Sequence, residues 1–133
     1  MEQLITFLVE QAMANFDQAF IRGTAVTGGH IQAQPEVIAT IRRLTRNVRG
    51  KFWIGKTSGG EEGCRERWNN KYKQDGMNRI AIVYESSSQD SALNMEENMI
   101  AQFGSQIKKQ IGGGDGGWAR SNQPYVVYIA WKE

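Results

Sequence analysis

Residues 50–57 read GKFWIGKT, and how this stretch folds decides what kind of domain surrounds it. It satisfies the phosphate-binding loop pattern G-x-x-x-x-G-K-[ST], which works by wrapping backbone N–H groups round a phosphate between a strand and a helix. Phe52, Trp53 and Ile54 argue against such a wrap, because bulky, β-prone side chains favour a pleated strand. A helix precedes the stretch in the pattern of apolar residues, and Ser58, Gly59 and Gly60 follow where the loop pattern needs a helix to begin. Residues 51–57 therefore read as a strand and 58–63 as a turn. A P-loop nucleotide phosphohydrolase on a parallel sheet is the lesser alternative.

Downstream, residues 62–73 read as a short helix with Cys64, Trp68 and Tyr72 on one face, and residues 79–86 (RIAIVYES) as a second strand rich in β-branched residues. Ser88 or Asp90 caps a helix that runs to Phe103. A basic amphipathic piece with Lys108 and Lys109 leads into the glycine run 112–117, and residues 125–131 (YVVYIAW) form a third strand. Upstream, residues 3–20 carry apolar side chains at helical spacing and 23–34 read as a linker that includes His30, to which no role is given. Pro35 and Glu36 open a helix running to Gly50. The reading is an α/β (α+β) fold, a small three-stranded antiparallel sheet flanked by helices. Residues 1–50 form an N-terminal helical extension, which would also offer a surface for a homo-oligomer, and residues 51–133 form the main domain.

The helix ending at Phe103 holds a carboxylate in an apolar position. At 100° per residue, with Ala92 at zero, Met95, Met99 and Phe103 fall near about 300°, 340° and 20°, and Glu96 falls near about 40°, inside their arc. An unpaired buried carboxylate costs several kcal/mol, so Glu96 needs a cation, a metal or a cleft beside it. The alternative is neutralisation by a structural arginine. Glu97, on the shoulder of the arc, carries no such demand. In the preceding helix Arg67 and Lys71 border the Cys64, Trp68, Tyr72 face on one side and Arg65 borders it on the other, where long cationic side chains can reach across a cleft or simply point into solvent.

A chain of 133 residues and 15.0 kDa, 40% hydrophobic and 23% charged with a mean hydropathy of −0.53, has the composition of a globular domain. No apolar run approaches the roughly 18 residues of a membrane helix. The start MEQLITFLVEQ carries acid where a secretion signal needs positive charge. With one cysteine, Cys64, and one histidine, no internal disulfide and no tetrahedral Cys/His zinc site can form, and an intracellular location (cytoplasmic or nuclear) is expected. Formal net charge is only +2, yet residues 35–56 hold six Lys and Arg against one acid. Arg42, Arg46 and Arg49 recur there at helical spacing opposite an apolar stripe of Ile38, Ile41, Leu44 and Val48. Such a stripe either neutralises nucleic-acid phosphates or is a solvated helix face.

Trp53-Ile54-Gly55-Lys56-Thr57, then Arg67-Trp68 in the next helix, a strand, and Met95-Glu96-Glu97-Asn98-Met99-Ile100 in a later helix resemble the GIY-YIG nuclease family in order and approximate spacing. The resemblance spans roughly residues 51–104. It implies cleavage of DNA phosphodiester bonds with one divalent cation, Mg²⁺ or Mn²⁺. Glu96 looks like the family's metal ligand, Arg67 like the arginine that contacts the scissile phosphate, with Arg65 its fallback, and Trp53 like the YIG tyrosine. Lys56 follows the glycine as a lysine does in many members, and Lys71 stands where several carry histidine. Arg42, Arg46, Arg49, Arg65 and Lys56 would meet the nucleic acid.

No GIY strand precedes WIG in this chain, and tryptophan cannot ionise as tyrosine can. The resemblance therefore implies that the missing strand comes from the C-terminus, where Val127-Tyr128-Ile129 is similar to a GIY strand, with Tyr128 as its tyrosine and Tyr125 as runner-up. Asp115 and Asn122 are candidates for a late family asparagine. Alternation along that strand puts Tyr125, Val127, Ile129 and Trp131 toward the helices and Tyr128 on an open face with Val126 and Ala130. A non-catalytic nucleic-acid or protein-interaction module on the same fold is the alternative.

Overall fold

The β-branched runs do become strands in the computed structural model, which describes residues 14–108 and 122–133. β1 is Phe20–Ile21, β2 Trp53–Ser58, β3 Arg79–Ser86 and β4 Tyr125–Trp131, joined in one sheet in the order β1-β3-β4-β2. The C-terminal strand lies inside the sheet, antiparallel to both neighbours, with Tyr128 opposite Gly55 on one side and Ile82 on the other. The class is mixed α/β as expected, but the sheet has four strands and is not purely antiparallel. Phe20 and Ile21, which share the helical spacing of residues 3–20, pair parallel with Ile80 and Ala81. Tertiary pairing outweighs the helical pattern there, since an uncovered β3 would present unpaired backbone groups at the sheet edge.

Four α-helices stand among the described residues: α1 Phe16–Ala19, α2 His30–Leu44, α3 Gly60–Arg67 and α4 Gln89–Phe103. Asn15 and Gln18 close α1 with a reciprocal capping box, and Ser88 caps α4 by accepting from the Ser91 amide. Most of the N-terminal helix read from residues 3–20, with any oligomer contact on it, lies outside the described residues. α2 begins at His30, inside the stretch read as a linker, and stops at Leu44, well short of Gly50. Pro35 is tolerated in its second turn because the carbonyl it leaves without an intrahelical donor belongs to Ile31, which is 67% exposed. Arg46 consequently lies in the turn after the helix and Arg49 beyond it, so the basic stripe is a helix end plus its exit.

Helices cover both faces of the sheet. Ala33, Val37 and Ile41 of α2 and Met95, Met99 and Phe103 of α4 share one core with Ile54, Val127 and Ile129. Burying a side chain such as Val37 or Ile41 is worth about 1.5–3 kcal/mol, which ties α2 firmly to the sheet. On the other face Cys64, Trp68 and Tyr72 pack with Ile80, Val126, Tyr128 and Ala130 beneath α3 and α1. The face expected to lie open around Tyr128 is therefore closed, and Tyr128 is fully buried. Its small neighbours make room for the aromatic side chains of Trp68 and Tyr72, which follow α3. No helix of the described residues is long and apolar enough to cross a membrane.

Candidate functional site

β2 is an edge strand of the sheet, and the side chains singled out in the sequence gather on and around it. Its pleat sends Ile54 and Lys56 toward α4 and Trp53, Gly55 and Thr57 toward α3. Residues 53–58 pair one by one with β4, so the stretch matching the phosphate-loop pattern is extended and does not wrap.

Under the α4 face Lys56 Nζ stands 3.5 Å from Glu96 Oε1, with the glutamate side chain 1% and the lysine side chain 11% exposed. The acid displaced from solvent by the wheel geometry has thus met a cation, supplied by the strand. Burial of such a pair costs solvation that its mutual attraction only partly offsets, so its presence is not explained by stability alone.

On the opposite face α3 comes unusually close to β2. A Cβ built on Gly63 would collide with the backbone oxygen of Ser58 and press on the Thr57 side chain. One turn further along, this approach lets Arg67 Nη2 donate to the Lys56 carbonyl at 3.4 Å. Lys56 is thereby the link between faces: its side chain meets Glu96 and its backbone meets Arg67.

α3 then widens into a π-helical turn, Trp68–Tyr72, in which the Lys73 amide bonds the Trp68 carbonyl. Such insertions recur at functional sites because they re-aim side chains that a regular helix would send elsewhere. Here the turn carries Lys71 and Tyr72 to the sheet. The Tyr72 and Tyr128 hydroxyls lie 2.8 Å apart, and the Tyr128 ring reaches across Gly55, where a Cβ would strike its hydroxyl and ring. Lys71 Nζ sits 3.9 Å from the centre of a Trp53 ring and Lys108 Nζ 5.7 Å from it.

Trp53 Nε1 and Thr57 Oγ1 are buried with no hydrogen-bond partner among the described residues. Each such orphan costs about 1–3 kcal/mol, a penalty native proteins accept chiefly where a ligand or water is met.

The structure thus sets Glu96 against the Lys56 side chain on one face of β2 and brings Arg67 to the Lys56 backbone from the other, with Trp53, Lys71 and Tyr128 on that second face. Arg65 is not among them. It points along the surface to Asp17 and Glu62, each at 3.3 Å, and lies over the Phe16 ring. Arg42, Arg46 and Arg49 are exposed at the far end of α2. Tyr125 packs toward the α2 and α4 core beside Ser58, and the Asn122 carbonyl accepts from the Gly59 amide. Asp115 lies outside the described residues.

Tyr72 and Lys108 were not singled out as site residues by the sequence. Tyr72 was visible only as a core aromatic, four residues after Trp68. Lys108 comes to Trp53 through a long-range bridge, the Lys108 amide donating to the Phe52 carbonyl at 2.8 Å, for which the sequence holds no signal.

No group of three or more His, Cys, Asp or Glu that could hold a metal ion occurs among the described residues. Glu96 supplies a single carboxylate of the kind Mg²⁺ takes, and the Lys56 ammonium 3.5 Å from it would have to yield to the ion. No protein-family model, curated protein or solved structure matches the chain.

Proposed function

We propose that the chain hydrolyses DNA phosphodiester bonds with one divalent cation, Mg²⁺ or Mn²⁺, taken by Glu96. The observation that carries this reading is the buried Glu96–Lys56 pair, set behind the edge strand whose Lys56 carbonyl is held by Arg67. The order of these residues in the sequence, which resembles that of the GIY-YIG nucleases, supports it. So does the place of β4 beside β2, where the resemblance wants the tyrosine-bearing strand.

When bound, the cation would polarise the phosphate and stabilise the leaving oxygen. The chain's own residues do the rest. Arg67 offsets charge on the pentavalent phosphate, a contribution worth about 10²–10³ in rate for a positioned donor. Lys56 pairs with the Glu96 carboxylate from the strand. Tyr128, fully buried with its hydroxyl on that of Tyr72, serves the site by packing behind the strand and not by meeting the water, and Lys71 and Trp53 line the approach.

The test is cleavage of a labelled duplex with Mg²⁺ or Mn²⁺ and with chelator. Cleavage should need the metal and should vanish in Glu96→Gln with the circular dichroism spectrum retained, whereas Glu97→Gln should be mild. Wild-type rates in Glu96→Gln would remove the residue from the mechanism.

A second reading, a non-catalytic nucleic-acid or protein-interaction module, is favoured by one observation. The cation at Glu96 is already Lys56, and Trp53 replaces an ionisable tyrosine. Calorimetry separates the two, because this second reading allows no heat of Mg²⁺ or Mn²⁺ binding.

A further inference from the structure

Cations collect at one end of the sheet, and they lead to Trp53. The Arg49 amide donates to the Lys132 carbonyl at 2.7 Å, which sets the exit of α2 against the end of β4. Lys51 precedes Phe52, and the Phe52 carbonyl accepts from the Lys108 amide. Lys108 and Lys71 then flank the Trp53 indole. Arg49, Lys51 and Lys132 are exposed, and no ion pair engages them or Lys108 among the described residues.

Trp53 differs from the other large aromatics at this end. Phe52, Tyr72 and Trp131 are fully buried or nearly so, while Trp53 is partly exposed, its indole N–H lying on the buried side. A partly exposed indole with two ammonium groups within 6 Å of its ring offers two things at once, an aromatic surface and positive charge. The ligand that uses both is a nucleotide whose base is free to stack and whose phosphates flank it. Bases in a duplex are already stacked on each other and cannot present a face.

We propose that Trp53, Lys71 and Lys108 form a binding subsite for an unpaired nucleotide, so that single-stranded DNA is the preferred ligand and enters over Lys51 and Lys132. The inference rests on the proposed function for the choice of polymer, and it makes no demand on metal or hydrolysis. Stacking of one base on an aromatic side chain is worth about 1–3 kcal/mol, and phosphates on lysines add the salt-dependent part.

The experiment is fluorescence anisotropy of a labelled oligothymidylate and of a blunt hairpin duplex, both in chelator, with wild type, Trp53→Leu and Lys108→Gln. The oligothymidylate should bind more tightly than the duplex. Trp53→Leu should weaken the single strand by about tenfold or more and the duplex by much less, in line with the loss of one stacked base. Lys108→Gln, at the rim of the fold, should lower the slope of log K against log salt for the single strand by about 0.7. It keeps the test decisive if Trp53→Leu does not fold. Equal affinity for the two ligands, or equal losses on both in the variants, would overturn the subsite and leave the lysines as packing partners of the indole. Single-strand preference without any cleavage in Mg²⁺ would instead retain the subsite and remove the nuclease reading.

Discussion

Tyr128 occupies the space that a side chain at position 55 would need, so that Gly55 and Tyr128, opposite one another on β2 and β4, fill a single site between the sheet and α3. The absence of a Cβ at 55 lets the tyrosine ring cross the edge strand and reach Tyr72. The glycine of Trp53-Ile54-Gly55 is therefore required by packing as well as by any resemblance.

Gly55→Ala should lower the unfolding free energy by about 1–3 kcal/mol, the usual cost of overpacking, because Tyr128 is fully buried and has nowhere to move. Urea denaturation reads this as a lower midpoint with unchanged slope. Tyr128→Leu in the same chain should relieve part of the collision, giving a coupling of at least about 0.5 kcal/mol in the double-mutant cycle. Strict additivity would mean that the two residues do not share one space.

Lys56→Met should be among the costly substitutions in the chain, up to about 3–5 kcal/mol, since it takes a cation away from the Glu96 carboxylate at 1% exposure. Replacing both members, Lys56→Met with Glu96→Leu, should recover most of that loss or exceed wild type, as apolar replacement of buried pairs often does. Denaturant midpoints of the single and double variants decide it. A double variant as unstable as Lys56→Met alone would show that the position, not the stranded charge, carries the cost.

The strands at 79–86 and 125–131 were legible because β-branched runs bounded by turn residues have few other uses. Glu96 was legible as a buried acid because a helix wheel fixes its neighbours, but its partner was not. Lys56 and Glu96 lie on separate elements, and only sheet register and helix placement bring them together. Register also hid the fourth strand. Phe20 and Ile21 belong to a helical pattern by spacing and to the sheet by pairing. The open face expected around Tyr128 failed for a related reason: alternation says which residues share a face and nothing about what covers it. The π-helical turn at Trp68–Tyr72 left no trace in apolar periodicity, yet it carries Lys71 and Tyr72 to the sheet.

Cys64, the one cysteine, should not react with thiol reagents in the folded protein. It is fully buried under α3, and burial pushes its thiol well above the ordinary range, a shift the nearby Arg67 only partly opposes. The reactive thiolate is then both scarce and shielded. Modification by an aromatic disulfide reagent at pH 8 should follow the rate of global unfolding and rise steeply with urea. Rapid labelling without denaturant would show that α3 lifts from the sheet on its own, taking Arg67 with it.

The basic end of α2 bears on how nucleic acid would be held apart from how it is cut. Arg42, Arg46 and Arg49 are exposed and make no ion pair among the described residues, so each is available to a phosphate. Their position past Leu44, on a helix end and the turn after it, spreads them further than one helical face would, toward Lys132, whose carbonyl accepts from Arg49. Contacts of this kind release counterions and do not read bases. A variant with all three changed to alanine should lose affinity for duplexes of any sequence alike, and each lost contact should reduce the slope of log K against log salt by about 1. Its unfolding midpoint should stay close to wild type, since exposed charges contribute little to stability. Titrations from low to moderate salt measure both slope and affinity. Unchanged values in the triple variant would make this end of α2 a solvated surface and leave the cations around Trp53, with Arg67, to hold the phosphate backbone.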